Sequence, residues 1–178
     1  MRLFVGLELP WDMRQRVGML AAAGIPGARW VPAQNYHVTL RFIGEAPRHL
    51  AEEIDHTLAA LQAPAFALTL AGIGTFARGG RSQMLWLGVE RSEMLERLQG
   101  KIETALRRCG LEPERRRFQP HVTLARLENA SEAKLAGFVQ ANNLFRSDPV
   151  QIEHFTLFSS LLGKDQPVYR AEVEYGLA

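Results

Sequence analysis

The sequence predicts an α+β fold of two halves, each built from strands and a pair of helices. Three observations predict it. Segments with period-two alternation are interleaved with segments at helical spacing, in the order β-α-β-α-ββ-α-β-α-ββ. Hairpins interrupt that order twice, which argues against a doubly wound parallel sheet. One tetrapeptide, His-Val-Thr-Leu, occurs at 37–40 and again at 121–124, once in each half.

Residues 2–9 read as a central strand, because apolar side chains fall on both faces. Pro10 punctuates it, and a helix is expected over 11–23, stopped at Gly24. Arg29-Trp30-Val31 is a short strand before Pro32. Tyr36 to Gly44 alternates cleanly, with Val38, Leu40 and Phe42 opposed to His37, Thr39 and Arg41. Pro47 introduces a helix over 48–62, with Leu50, Ile54, Leu58 and Leu61 inward. Residues 65–77 read as one strand. The segment Arg78-Gly79-Gly80-Arg81-Ser82 is turn chemistry, and 84–90 is the return strand of a hairpin with a basic tip. Ser92 caps a helix that runs to Cys109 and ends at Gly110. Pro120 opens the second motif strand, Ser131 caps a short helix, and 150–159 and 167–176 close the fold.

A length of 178 residues suits one domain, spanning 1–178, with a core that needs no disulfide or metal. The apolar share of 47% and charged share of 22% are those of an ordinary globular chain. One cysteine, Cys109, excludes an internal disulfide and a cysteine-rich metal site. The first residues do not make a secretory h-region, and no apolar run is long enough to span a bilayer. A cytoplasmic monomer without membrane attachment is expected. The net charge of +2 excludes a polyelectrolyte binder, but arginines cluster at 107–108, at 115–117 and at Arg78 with Arg81. Each cluster alone is accounted for by a solvated face; an anionic ligand is the alternative reading.

In a strand, residues i and i+2 share a face, so each motif pairs an imidazole with a hydroxyl. Hydrolysis of a phosphodiester proceeds in line. A base takes a proton from water, and an acid protonates the leaving oxygen on the opposite side. His37 and His121 can fill both roles without metal or cofactor, and Thr39 and Thr123 can donate to the non-bridging oxygens. The looser pattern also occurs at His154-Phe155-Thr156-Leu157. There the face continues with Ile152 and Phe158, a packing face, so His154 reads as structural. His49 and His56 read as helix surface.

The chain resembles the 2H phosphoesterase superfamily, and within it the RNA 2′,3′-cyclic phosphodiesterases, also called 2′-5′ RNA ligases. The resemblance rests on Arg2-Leu3-Phe4-Val5-Gly6-Leu7 and on Trp30-Val31-Pro32 leading into His37-Val38-Thr39-Leu40-Arg41-Phe42-Ile43-Gly44. It continues through Leu85-Trp86-Leu87-Gly88-Val89, Phe118-Gln119-Pro120 with the second motif to Arg126, and Phe155-Thr156-Leu157-Phe158-Ser159-Ser160. It implies two pseudo-symmetric lobes, each an antiparallel sheet with helices on its outer face, enclosing a central cleft. It implies metal-free opening of the 2′,3′-cyclic phosphate on RNA or nucleotides to a 2′-phosphomonoester. By resemblance His37 is the general acid, His121 activates water, and Thr39 and Thr123 hold the phosphate. Arg126 matches an arginine that follows the second motif, although simple alternation turns it away from His121 and favours Arg41 as the substrate ligand. Ligation through a 2′-5′ linkage and a non-catalytic RNA- or nucleotide-binding module are the alternative readings. Gly79-Gly80 departs from the prolines this family often carries at the hairpin tip.

Overall fold

The computed structural model describes all 178 residues. The first strand, β1 (Arg2–Glu8), is buried along Leu3–Leu7, as its two apolar faces require. Helix α1 spans Trp11–Gly18 and then tightens into a 3₁₀ segment at Met19–Ala23 that ends at Gly24, where φ is +60°. The sequence predicted one continuous helix here. The last turn has no buried residue to anchor an α-helical stripe, and Met19 is largely exposed. Strand β2 (Ala28–Trp30) precedes the first motif strand β3 (His37–Glu45), and α2 follows over Arg48–Ala59 with Ile54 and Leu58 buried.

The strand expected over 65–77 is two strands, β4 (Phe66–Leu68) and β5 (Leu70–Arg78), broken at Thr69. The break lets the two pieces join different partners. The return strand β6 covers Arg81–Val89 and begins earlier than expected, because the turn is only Gly79-Gly80. Their φ values of +60° and +79° fit a two-residue hairpin turn with both central residues left-handed, which glycine adopts without strain. Helix α3 (Glu93–Arg108) has the predicted cap, with Ser92 Oγ accepting from the Leu95 N–H at 3.2 Å. Its end is a Schellman motif: Leu111 N–H donates to the Leu106 carbonyl, Gly110 N–H donates to that of Arg107, and Gly110 has φ +92°. The second motif strand is β7 (His121–Leu127), and α4 (Glu132–Asn142) is capped by Ser131. Strands β8 (Val150–Ile152), β9 (His154–Leu161) and β10 (Val168–Gly176) finish the chain; the expected strand 150–159 is thus also divided.

Two four-stranded antiparallel sheets result, ordered β10-β9-β1-β3 and β2-β7-β6-β5, with β4 and β8 forming a separate ribbon. Helices α2 and α3 pack against each other and back the first sheet, while α4 packs on β5 of the second. The lobes are not successive halves of the chain. The first lobe takes β9 and β10 from the C-terminus, and the second takes β2 from between β1 and β3. Each lobe still carries one motif, and β3 and β7 approach each other between the sheets.

Both motif strands are interrupted at the same place. In β3 the pairing with β1 passes from Gly6↔Thr39 to Val5↔Arg41, leaving Leu40 as an extra residue. In β7 the pairing with β6 passes from Trp86↔Thr123 to Leu85↔Ala125, leaving Leu124 extra. A one-residue bulge reverses the phase of everything after it. Arg41 and Ala125 therefore turn to the packed side and are buried, while Phe42 and Arg126 turn to the open side and are exposed.

Candidate active site

Each motif histidine is oriented by the carbonyl of the residue two positions before it. His37 Nδ1 lies 2.7 Å from the Asn35 carbonyl oxygen, and His121 Nδ1 lies 2.6 Å from that of Gln119. A carbonyl only accepts, so Nδ1 carries the proton in both rings and Nε2 is left for chemistry. His37 Nε2 is 2.9 Å from Thr39 Oγ1. The Asn35 carbonyl is itself held in place, because the Asn35 side chain donates to the Pro167 carbonyl at 2.9 Å. Thr123 Oγ1 rests on the Met84 sulfur at 3.5 Å, a weak acceptor that a phosphoryl oxygen can replace.

Aromatic rings fix both imidazoles from the side. Phe4 lies 4.9 Å and Tyr169 5.1 Å from the His37 ring centroid, and Phe76 lies edge-on to His121 at 5.0 Å. Gly6 makes room for this packing. A Cβ there meets the Val38 carbonyl oxygen at 2.9 Å, the Phe158 ring at 3.4 Å and His37 Cδ2 at 3.6 Å. Because the closest atom is backbone across the strand pair, it cannot swing aside. Gly6→Ala is expected to destabilise the fold by about 1–3 kcal/mol, the usual range for overpacking, and to lower turnover by displacing His37. Urea unfolding and kcat measured side by side check this; unchanged values in both would show that the strands absorb the methyl group.

Burial pushes the His37 imidazole below its ordinary value, the Asn35 carbonyl opposes this, and the charge of His121 lowers it further. Burial likewise pushes His121 down, against the Gln119 carbonyl. Two imidazoles held below 6.5 are neutral in the free protein at pH 7. An anion between them raises both, so ligand binding itself supplies the condition under which one becomes an acid.

A cavity of about 640 Å³ lies between the motif strands, bordered by Thr39, Phe42, His121, Arg116, Arg117 and Arg126. Arg126 belongs to it, and its charge reaches the Tyr169 hydroxyl, where burial raises the phenol and Arg126 and Arg2 oppose the rise. Arg41 is the correction. It was expected beside His37 and Thr39 on the open face, but its guanidinium points into the protein after the bulge. Arg41 Nε donates to Glu103 Oε2 at 2.6 Å, and its other nitrogens donate to the Phe42 and Glu112 carbonyls. Arg41 still borders the cavity, but its guanidinium nitrogens are held by these protein partners.

Phe42, which alternation places on the packed face, is 57% exposed and borders this cavity at the position equivalent to Arg126. One signal could have found it. Strict alternation puts Ala125 on the catalytic face and charged Arg126 on the packed face, and that inversion is what a phase change predicts. Arg116 and Arg117 are solvent-exposed, as the solvated-face reading has them, and they also border the cavity. The hairpin tip does not reach it: Arg81 donates to Asn129 Oδ1 at 2.6 Å, and Ser82 binds the Glu132 carboxylate of α4.

His154 stands at the start of β9 with Nε2 3.6 Å from Glu8 and 3.9 Å from Glu174, not in the motif cavity. The packing-face reading describes Thr156 and Phe158, which are buried, but His154 itself is part-exposed. Phe158 stacks on Phe4 at 4.9 Å, so the third copy forms part of the floor under His37. Donor atoms of Glu8, His154 and Glu174 lie within 4.8 Å of one another, the one grouping of side chains able to share an ion. His49 and His56 are exposed on α2. No helix is long and apolar enough to cross a membrane.

Residues 14–163 match the family model of the 2′-5′ RNA ligase superfamily. The chain belongs to that superfamily. It is 33% identical over 157 residues to the RNA 2′,3′-cyclic phosphodiesterase of Aeropyrum pernix, covering 87% of this chain and 89% of the relative. It is 28% identical over 180 residues to the enzyme of the same name from Thermotoga maritima, covering 98% and 94%. Among solved structures it superposes on Escherichia coli LigT complexed with 3′-AMP with a TM-score of 0.81 at 27% identity, covering 99% of this chain and 97% of that one. The two-lobed α+β architecture expected from the resemblance is thus the fold of the superfamily relatives.

Proposed function

We propose that this chain hydrolyses the 2′,3′-cyclic phosphate ends of RNA or nucleotides to 2′-phosphomonoesters, by general acid–base catalysis with His37 and His121 and without metal. The observation that carries the proposal is the pair of imidazoles with Nδ1–H fixed by a carbonyl and Nε2 turned away from it, His37 Nε2 toward Thr39, with Thr39 and His121 both bordering one arginine-lined cavity. The names of the relatives supply the substrate class. With the phosphate in the cavity, Thr39 and Thr123 donate to its non-bridging oxygens and Arg126 balances its charge. His121 Nε2 takes a proton from water as the new P–O bond forms. The P–O3′ bond breaks, and O3′ takes the proton from His37 Nε2. The two histidines end with their proton states exchanged, and solvent resets them.

The chain is proposed to act as a single bilobal unit over 1–178, as a cytoplasmic monomer. The deciding experiment is product analysis on a nucleoside 2′,3′-cyclic phosphate in the presence of EDTA. The expected product is the 2′-phosphate alone, formed at the same rate with and without chelator. A 3′-phosphate product would reverse the assigned leaving oxygen, and loss of activity in EDTA would overturn the metal-free mechanism. His154→Ala is expected to retain turnover, because that imidazole faces Glu8 and Glu174.

A further inference from the structure

Four polar side chains gather at one end of the first sheet, outside the cavity between the motif strands. Glu8 ends β1, His154 begins β9, Thr156 follows it by two residues, and Glu174 lies on β10. The register puts them on one face. Thr156 stands opposite Gly6 of β1 and opposite Glu174 of β10. His154 is two positions before Thr156, and Glu8 is two positions after Gly6, so both share that face. Two of the four lack what burial normally requires. His154 Nε2 and Thr156 Oγ1 are shut off from solvent, and neither has a hydrogen-bond partner. Thr156 is wholly buried. Buried polar atoms are nearly always paired, so two orphans side by side on one face call for a ligand.

The geometry around Nε2 says which ligand. It lies 3.6 Å from Glu8 Oε2 and 3.9 Å from Glu174 Oε1, too far for hydrogen bonds. Neither carboxylate has a lysine or arginine partner. Donor atoms of the three residues lie within 4.8 Å of one another. Two ligand atoms on one tetrahedral zinc ion are about 3.4 Å apart, because each bond is about 2.1 Å. Small rotations of the glutamates close the difference, and Glu174 is exposed and free to make them. We infer that Glu8, His154 and Glu174 bind a divalent ion of the zinc class, with Thr156 Oγ1 bonded to a water in the fourth position. An imidazole beside two carboxylates favours zinc over magnesium and calcium, which take oxygen ligands. The ion cancels the two negative charges that the carboxylates bring together. It takes no part in the reaction. It ties the ends of β1, β9 and β10 to one another, and Glu8 pairs with His37 across β1 and β3, so the ion steadies the row in which His37 stands. The third His-x-Thr thus has a use of its own, as a metal ligand and the hydroxyl behind it.

Calorimetric titration of the chelator-stripped protein with zinc chloride is expected to give one site per chain. His154→Ala and Glu174→Gln should each weaken binding at least tenfold. Thr156→Val should weaken it by about 10–100-fold, the range for an outer partner of a metal site, whereas a threonine that only fills space would leave it unchanged. The wild-type Tm should rise by about 5–10 °C at a hundredfold excess of zinc over Kd, and magnesium should not move it. His37→Ala should bind zinc as the wild type does. Binding lost in His37→Ala and kept in His154→Ala places the ion on the catalytic pair and overturns the inference. So does an absence of binding in the wild type, equal binding in the wild type and the variants at 154, 156 and 174, or a magnesium shift as large as that of zinc. Glu174 is an exposed side chain, so Glu174→Gln decides the matter even if His154→Ala fails to fold.

Discussion

Replacing His121 or His37 with alanine is expected to lower kcat/KM for a nucleoside 2′,3′-cyclic phosphate by about 10²–10⁴-fold, the range for loss of one general acid or base. The fold should persist in both variants. Neither ring belongs to the buried apolar cluster, and the backbone carbonyls that hold them become free to bind water. The double variant should lose little more than either single one, because acid and base act in one step and their effects are not additive. Circular dichroism and steady-state kinetics on the three proteins check this. A residual activity within tenfold of wild type in either single variant would falsify the two-histidine assignment.

The pH dependence follows from the same geometry. Burial acts first on both imidazoles and holds both below 6.5 in the free protein. The kcat/KM profile reports the free enzyme, so its bell should peak on the acid side of 6.5. The two limbs belong to the pair, since the charge of His121 is felt at His37. The kcat profile should lie at higher pH, because the bound phosphate anion favours the imidazolium form. A kcat/KM maximum above pH 7.5 would show that burial does not govern these groups. Stability carries the same sign. As pH falls from about 6.5 toward the native values, the unfolded chain binds protons that the native histidines refuse, so stability declines with acid and levels off above about 6.5. His37→Ala should flatten that decline.

The legible part of this site was the part that depends on period two before the bulge. His37 with Thr39, and His121 with Thr123, share faces by alternation alone; the hydrogen bond between ring and hydroxyl forms only at His37, since Thr123 donates to the Met84 sulfur. Beyond Thr39 and Thr123 the same rule gives the wrong face. The bulges at Leu40 and Leu124 leave no mark in composition, since a buried leucine is equally at home in register or out of it. That is why alternation puts the Arg41 side chain on the open face and those of Phe42 and Arg126 on the packed face, when it is Arg41 that is buried and Phe42 and Arg126 that are exposed. The interleaving of the lobes was hidden for a different reason. Alternation fixes which residues share a face, but the partner of an edge is a long-range choice, and β9 reaches β1 from the far end of the chain. The caps at Ser92 and Ser131 and the stop at Gly110 were readable because capping is local chemistry.

Removing the Glu103 carboxylate is expected to be the most destabilising single change outside the apolar core. Arg41 is 8% exposed and Glu103 14%, so the pair is shielded from water. Glu103 Oε2 accepts from Arg41, while Oε1 accepts from Arg107 Nε at 3.1 Å and from the Glu114 N–H at 3.0 Å. Burial alone would raise this carboxyl, but the bonds from Arg41, Glu114 and Arg107 outweigh it and hold the group below the usual range. Glu103→Ala leaves a buried guanidinium without its counter-charge, which costs about 3–5 kcal/mol. Arg41→Met with Glu103→Leu should cost much less than the two single changes together, because neither charge is then stranded. The stabilisation from Glu103 is present above about pH 4.5 and lost as pH falls toward the native value, where the unfolded chain takes up the proton first. A second consequence reaches the cleft. Arg41 and Glu103 together hold the backbone at Glu112 and Glu114, and that loop carries Arg116 and Arg117 into the cavity. At a temperature where Glu103→Ala is still folded, KM should therefore rise more than kcat falls. Chemical denaturation of Glu103→Ala and of the four proteins in the cycle, with kinetics on the folded ones, decides it. A loss below about 1 kcal/mol in Glu103→Ala would place the pair among ordinary surface ion pairs and leave the loop held by something else.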